Sequence, residues 1–145
     1  MLIIVKEYIN IMSQEVLTIR TDKYTIYKQY LTLKKPFIEG VLSVLYNKHI
    51  TLNPKLLDVF SILLFYNNKF KDIEDEKRSK LLLSQPIRNE ILSTLNITQP
   101  QLNTYISTLR KYQLLIGNKI NDRFAIYPNG SHELVFKLYI KEDEK

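Results

Sequence analysis

Two apolar-periodic segments separated by a short polar turn stand out in residues 85–116 (QPIRNEILSTLNITQPQLNTYISTLRKYQLLI). In the first, Ile87, Ile91 and Leu95 recur at helical spacing. In the second, Leu102, Ile106 and Leu109 do the same, with Tyr105 beside them. Each run therefore has one face to bury. Asn96-Ile97-Thr98 lies between them. Asn tolerates the left-handed conformation that closes a helix, Ile97 can plug the angle between two helices, and Thr98 is a good N-cap. Pro100 falls in the first turn of the second helix, where its missing N–H costs nothing. The pattern predicts a helix-turn-helix.

The same reading extends upstream. Asn53-Pro54 opens a helix whose wide apolar face (Leu56, Leu57, Phe60, Leu63, Leu64) runs to about Asn67. Residues 37–49 predict another, with Phe37, Val41, Val44 and Leu45 on its apolar side. Phe70–Lys80 is a mixed-charge surface stretch, Lys80–Leu83 a short strand, and Ser84 a cap for the helix that follows. Residues 1–35 are ambiguous. Val16–Arg20 and Tyr24–Leu33 alternate as strands around Thr21-Asp22-Lys23, whereas Leu2–Met12 reads equally well as an amphipathic helix. Downstream, Gly117-Asn118 and Asn121-Asp122 are turn dipeptides, so Leu115–Ile120 pairs with Arg123–Tyr127 across a tight hairpin. After the turn signal Pro128-Asn129-Gly130-Ser131, the run His132–Ile140 completes a three-stranded meander.

Over roughly residues 54–128 the chain resembles the winged helix-turn-helix DNA-binding proteins. The resemblance rests on "LNIT", a polar helix start and "YISTLRKYQLLI", in which Leu109-Arg110-Lys111 and Leu114-Leu115-Ile116 stand where the family ends its recognition helix and begins a strand. Asn96 occupies the turn position where Gly is commonest, and Gln113 the place after the recognition helix where Gly is usual. Asn is a fair substitute there and Gln a poorer one. The fold expected is α+β and of winged helix-turn-helix type, a three-helix core with a C-terminal β-hairpin or meander. The chain reads as a single domain, 1–145, with an N-terminal extension over 1–35 and the winged-helix core and wing over 36–140.

Charge sharpens the expectation by its placement more than by its sum. The net charge of +6 favours an anionic partner only weakly. Between Gln85 and Arg123, however, five Lys or Arg face two acids, and Thr98–Lys111 contains no acid at all. A carboxylate there would repel phosphates. With positions 102, 105, 106 and 109 buried, Gln99, Gln101, Asn103 and Thr104 become the candidate base readers, because Gln and Asn pair bidentately with adenine and Thr touches a thymine methyl. The candidates for phosphate are Thr98, Thr108, Arg110, Lys111, Lys119 and Arg123. The implied partner is double-stranded DNA, and the implied role a small transcriptional regulator or replication-associated factor.

Other chemistry is scarce. Without cysteine there is neither disulfide nor thiolate metal site. His49 and His132 lie far from any second ligand at metal spacing, and three scattered glycines make no phosphate-cradling loop. Asp72, Glu74, Asp75 and Glu76 are neutralised by Lys69, Lys71, Lys77 and Arg78. An enzyme, a metal and a cofactor are not expected. The apolar start MLIIV is too short for a signal peptide or a membrane span, so no membrane association and an intracellular, cytoplasmic location are expected. Richness in Ile, Asn, Lys and Tyr suggests an AT-rich gene, as in many phages and plasmids. A different class remains open: a virion or assembly component on the same fold, with Tyr24, Tyr27, Tyr30 and Phe37 forming a surface for a homodimer or a larger assembly.

Overall fold

The computed structural model describes residues 22–128. They form α1 (Thr25–Leu45), α2 (Pro54–Lys69), α3 (Asp75–Leu82), α4 (Gln85–Leu95) and α5 (Gln99–Lys111), followed by β1 (Leu115–Ile116) and β2 (Lys119–Ile120). Of the described residues, 64% are helical. The α+β winged-helix expectation is thereby overturned: the described part of the chain is a helical assembly with one minimal hairpin. Leu2–Met12, Val16–Arg20 and His132–Ile140 lie outside the described residues.

At the centre is α2. Asn53 caps it, its side-chain oxygen accepting from the Lys55 N–H at 2.8 Å, and Pro54 takes the first position. Ten of its residues are buried, including Phe60, Ile62, Leu63 and Leu64 with no exposure. A helix buried on nearly every side must have neighbours all round. Here they are α1, α3, α4, α5 and β2. Phe60 meets Phe124 edge-on, with centroids 6.5 Å apart, and Phe65 does the same with Tyr24 and Tyr27.

Four local expectations change, each for a physical reason. The alternation over Tyr24–Leu33 gives way to the first half of α1, because Tyr24, Tyr27, Leu31, Ile38 and Leu42 form one buried helical stripe. Asp22 organises its start by accepting from the Tyr24 N–H at 2.8 Å and the Thr25 hydroxyl at 3.0 Å. The resulting helix runs continuously through residues 35 and 36. On its C-terminal half, the side expected to be buried faces out, with Phe37 66%, Val44 81% and Leu45 72% exposed, while Ile38 and Leu42 go inside.

The strand expected at Lys80–Leu83 is instead the end of α3. Asp75 and Glu76 sit in its first turn, where the helix dipole favours them, and Arg78–Asp75 and Lys80–Glu76 pair along its surface. The hairpin is also shorter than expected. Leu115 faces Ile120 and Ile116 faces Lys119 around Gly117, whose φ of +62° suits the first position of a two-residue turn. Arg123–Tyr127 forms no strand. The Asn121 side chain accepts from the Arg123 N–H and its carbonyl from the Phe124 N–H, which curls the chain and delivers Phe124 to Phe60.

Three helices end in the same way. Asn47, Asn96 and Gln113 take φ of +50°, +52° and +61° after α1, α4 and α5. In each case the next residue donates its N–H back into the helix: Lys48 to Ser43, Ile97 to Leu92 and Leu114 to Leu109. This is the Schellman closure, which satisfies carbonyls a helix end otherwise leaves open.

Candidate nucleic-acid interface

The corner between α4 and α5 is set by its own backbone. After Asn96 turns the chain, Ile97 packs partly buried against the core, and Thr98 starts α5 with a complete capping box. The Thr98 hydroxyl accepts from the Gln101 N–H at 3.4 Å, and the Gln101 side-chain oxygen accepts from the Thr98 N–H at 2.9 Å. Ile87, Ile91 and Leu95 of α4 and Leu102, Ile106 and Leu109 of α5 are buried, as the periodicity predicts. The helix-turn-helix is therefore present as a local unit.

Its outward face is polar and uncharged towards the start of α5, and basic at the end. Asn103, Thr104, Ser107 and Lys111 are exposed, and together with Thr108 they line one shallow depression. Gln99 lies beside them, its amide donating to the Asn103 side-chain oxygen at 3.1 Å. Thr104 and Thr108 turn their hydroxyls back to the carbonyls of Pro100 and Thr104, both at 3.0 Å. Gln101 differs from the other three base-reading candidates, because its amide oxygen is engaged in closing the helix start.

The basic residues divide. Lys111 and Arg123 are exposed, and neither has an ion-pair partner among the described residues. Arg110 is turned to the hairpin, donating to the Gly117 carbonyl at 2.9 Å and to the Asn118 side chain. Lys119 is paired with Asp75 at 3.2 Å and stands 3.9 Å from Asp122. Its hydrogen bond and charge hold the Asp75 carboxyl below the ordinary carboxylate range. The structure thus gathers Gln99, Asn103, Thr104, Thr108 and Lys111 on one face, where the Asn103 side-chain oxygen already accepts from Gln99 and Arg88 and both threonine hydroxyls bond back to the helix. It engages Thr98 and Gln101 in the capping box, Arg110 with the hairpin and Lys119 with Asp75.

One residue on this face escapes a sequence reading. Arg88 of α4 donates through Nε to the Leu83 carbonyl at 2.9 Å, and its Nη1 reaches the Asn103 side-chain oxygen at 3.1 Å. It carries positive charge from α4 onto the middle of α5. The available signal was a lone Arg on the outward side of the first helix, and no periodicity could say which residue of the second helix it would meet.

No protein-family model, curated protein or solved structure matches this chain. Among the described residues no helix is long and apolar enough to cross a membrane.

Proposed function

We propose that this is a non-enzymatic double-stranded DNA-binding protein, a small transcriptional regulator or replication-associated factor that reads DNA with α5. The observation that carries the reading is the outward face of α5: free of acid, lined by amide and hydroxyl side chains, ending in Lys111, and started by a complete capping box. A recognition helix needs that combination, because phosphate contacts position it and side-chain contacts to base edges specify the sequence. Asn103 and Gln99 supply the bidentate groups suited to adenine, and Thr104 an apolar contact for thymine. Lys111, Arg123 and Arg88 supply positive charge for the backbone.

The test is retention of a random-sequence duplex pool at two salt concentrations, followed by sequencing of the bound fraction. Enrichment of a motif, with a log-log salt slope of about −0.9 per phosphate contact, supports the reading. No retention at low salt overturns it and favours the second reading, an assembly component, for which the exposed apolar side of α1 is the supporting observation.

A further inference from the structure

The C-terminal half of α1 carries a second apolar stripe that the described fold does not cover. Leu33, Phe37, Val41, Val44 and Leu45 are 40–81% exposed, and Tyr46 continues the surface at 40%. Together they present on the order of 600 Å² per copy, the upper end for the largest apolar patch of a monomer and close to the ~800 Å² that each partner contributes to a standard interface. Gly40 sits at the middle of this stripe. A Cβ there would meet nothing within 4 Å, and its φ is not positive. The described fold therefore has no steric or backbone need for glycine at a helix position where glycine is unfavourable. Close approach of another backbone is such a need.

We propose that this face is a two-fold interface between copies of the chain, formed by α1 packed antiparallel on the partner's α1. The stripe is complementary to itself. With the axis between Gly40 and Val41, Phe37 lies over the partner's Val44, Val41 over the partner's Gly40 and Leu45 over the partner's Pro36, so in the middle of the stripe each larger side chain meets a smaller one. Self-pairing of one patch is the expected geometry of a closed dimer. The inference stands apart from the DNA reading and adds to it. Tyr46, at the edge of the stripe, donates to the Lys111 carbonyl at 2.8 Å and packs edge-on against Tyr112. The interface thus begins where α5 ends, and a dimer would carry two recognition helices, as two half-sites require.

The experiment measures the mass of the full chain by sedimentation over a range of concentrations, for the wild type, Val44→Glu and Gly40→Ala. A dimeric wild type, with association weakened about a hundredfold or more in Val44→Glu by the buried charge, supports the proposal. Gly40→Ala is expected to weaken association while raising the melting temperature of the dilute monomer, a pair of opposite shifts that misfolding cannot produce. Because the chain has no native cysteine, Val41→Cys gives a direct readout: oxidation should yield a covalent dimer, and Glu76→Cys on α3 should not. A wild type monomeric at every concentration, as when the chain's own remaining segments cover the stripe, overturns the proposal. So does a dimer that Val44→Glu leaves intact. None of these readouts involves DNA, so failure of the interface and failure of the DNA reading are separate results.

Discussion

The helices α1 and α5 are both amphipathic, yet they turn opposite kinds of surface to solvent. On α5 the apolar residues share one stripe and the remainder is polar, so inside and outside follow from spacing alone. α1 has two apolar stripes on different sides, and only Tyr27, Leu31, Ile38 and Leu42 enter the core. Spacing reveals that stripes exist. Which of two is buried depends on what the rest of the chain offers, here the fit of Tyr24 and Tyr27 around Phe65 on α2.

Truncating one residue from each helix should break this comparison open most widely. Leu109→Ala empties a fully buried position and should cost about 2–5 kcal/mol in denaturant unfolding, whereas Val44→Ala at concentrations too low for association should stay within about 0.5 kcal/mol. Comparable losses would mean that α1's outer stripe is packed within one chain.

Next come substitutions on the α5 face. Asn103→Ala should lose about 1–3 kcal/mol of discrimination at one base position, seen as a relaxed selected motif. Arg123→Ala should weaken all duplexes alike and reduce the salt slope by about one unit. Lys119→Ala should do less than Arg123→Ala, because Asp75 already neutralises it.

Gln101→Ala separates helix closure from base reading. Loss of its half of the capping box should lower stability by about 1 kcal/mol in thermal unfolding and leave the selected motif unchanged. A changed motif would return Gln101 to the reading face.

The smallest effect concerns the link between the two regions. The Tyr24 hydroxyl donates to Glu90 on α4 at 2.9 Å, and Lys23 lies 3.5 Å away. The hydrogen bond holds the Glu90 carboxyl below its ordinary range against some desolvation, with Lys23 adding to it, while burial and the neighbouring Tyr66 and Glu90 push the Tyr24 hydroxyl up. A carboxyl depressed on folding stabilises above its unfolded pKa, and that contribution disappears as the pH falls through the folded value. Glu90→Gln should therefore flatten acid unfolding in that window and lower stability at neutral pH. An unchanged acid limb would show that the contact contributes nothing.

Legibility followed the locality of the cause. Asn53-Pro54, Asn96 and Thr98 act within a few residues, and the sequence located α2, α4 and α5 through them. Thr98's partner is also local: Gln101 stands at the position a capping box prescribes, three residues after the cap. The expected strands are absent where local turns and helix formers decide a short apolar run. Along Asp75–Leu82 the leucines are good helix formers and the acids fall in the first turn and Lys80 in the last, so a short apolar run continues a helix. Over Arg123–Tyr127 the Asn121 turn and Phe60 outweigh alternation. Arg88–Asn103 and Lys119–Asp75 join residues 15 and 44 positions apart, and only tertiary packing decides such pairs.

Asn47, Asn96 and Gln113 also bear on the heat of binding. A loop that stiffens on contact gives up conformational freedom at that moment, and calorimetry registers it as unfavourable entropy and a heat-capacity change larger than the contact area explains. The corners flanking α5 have surrendered that freedom on folding, since Ile97 and Leu114 are already bonded back into their helices. Under the proposed DNA reading, a duplex docking on α5 would meet corners whose backbone is already bonded back into the helices. The signature expected is a modest heat-capacity change that scales with the area covered, and an association rate limited by orientation and charge instead of by rearrangement.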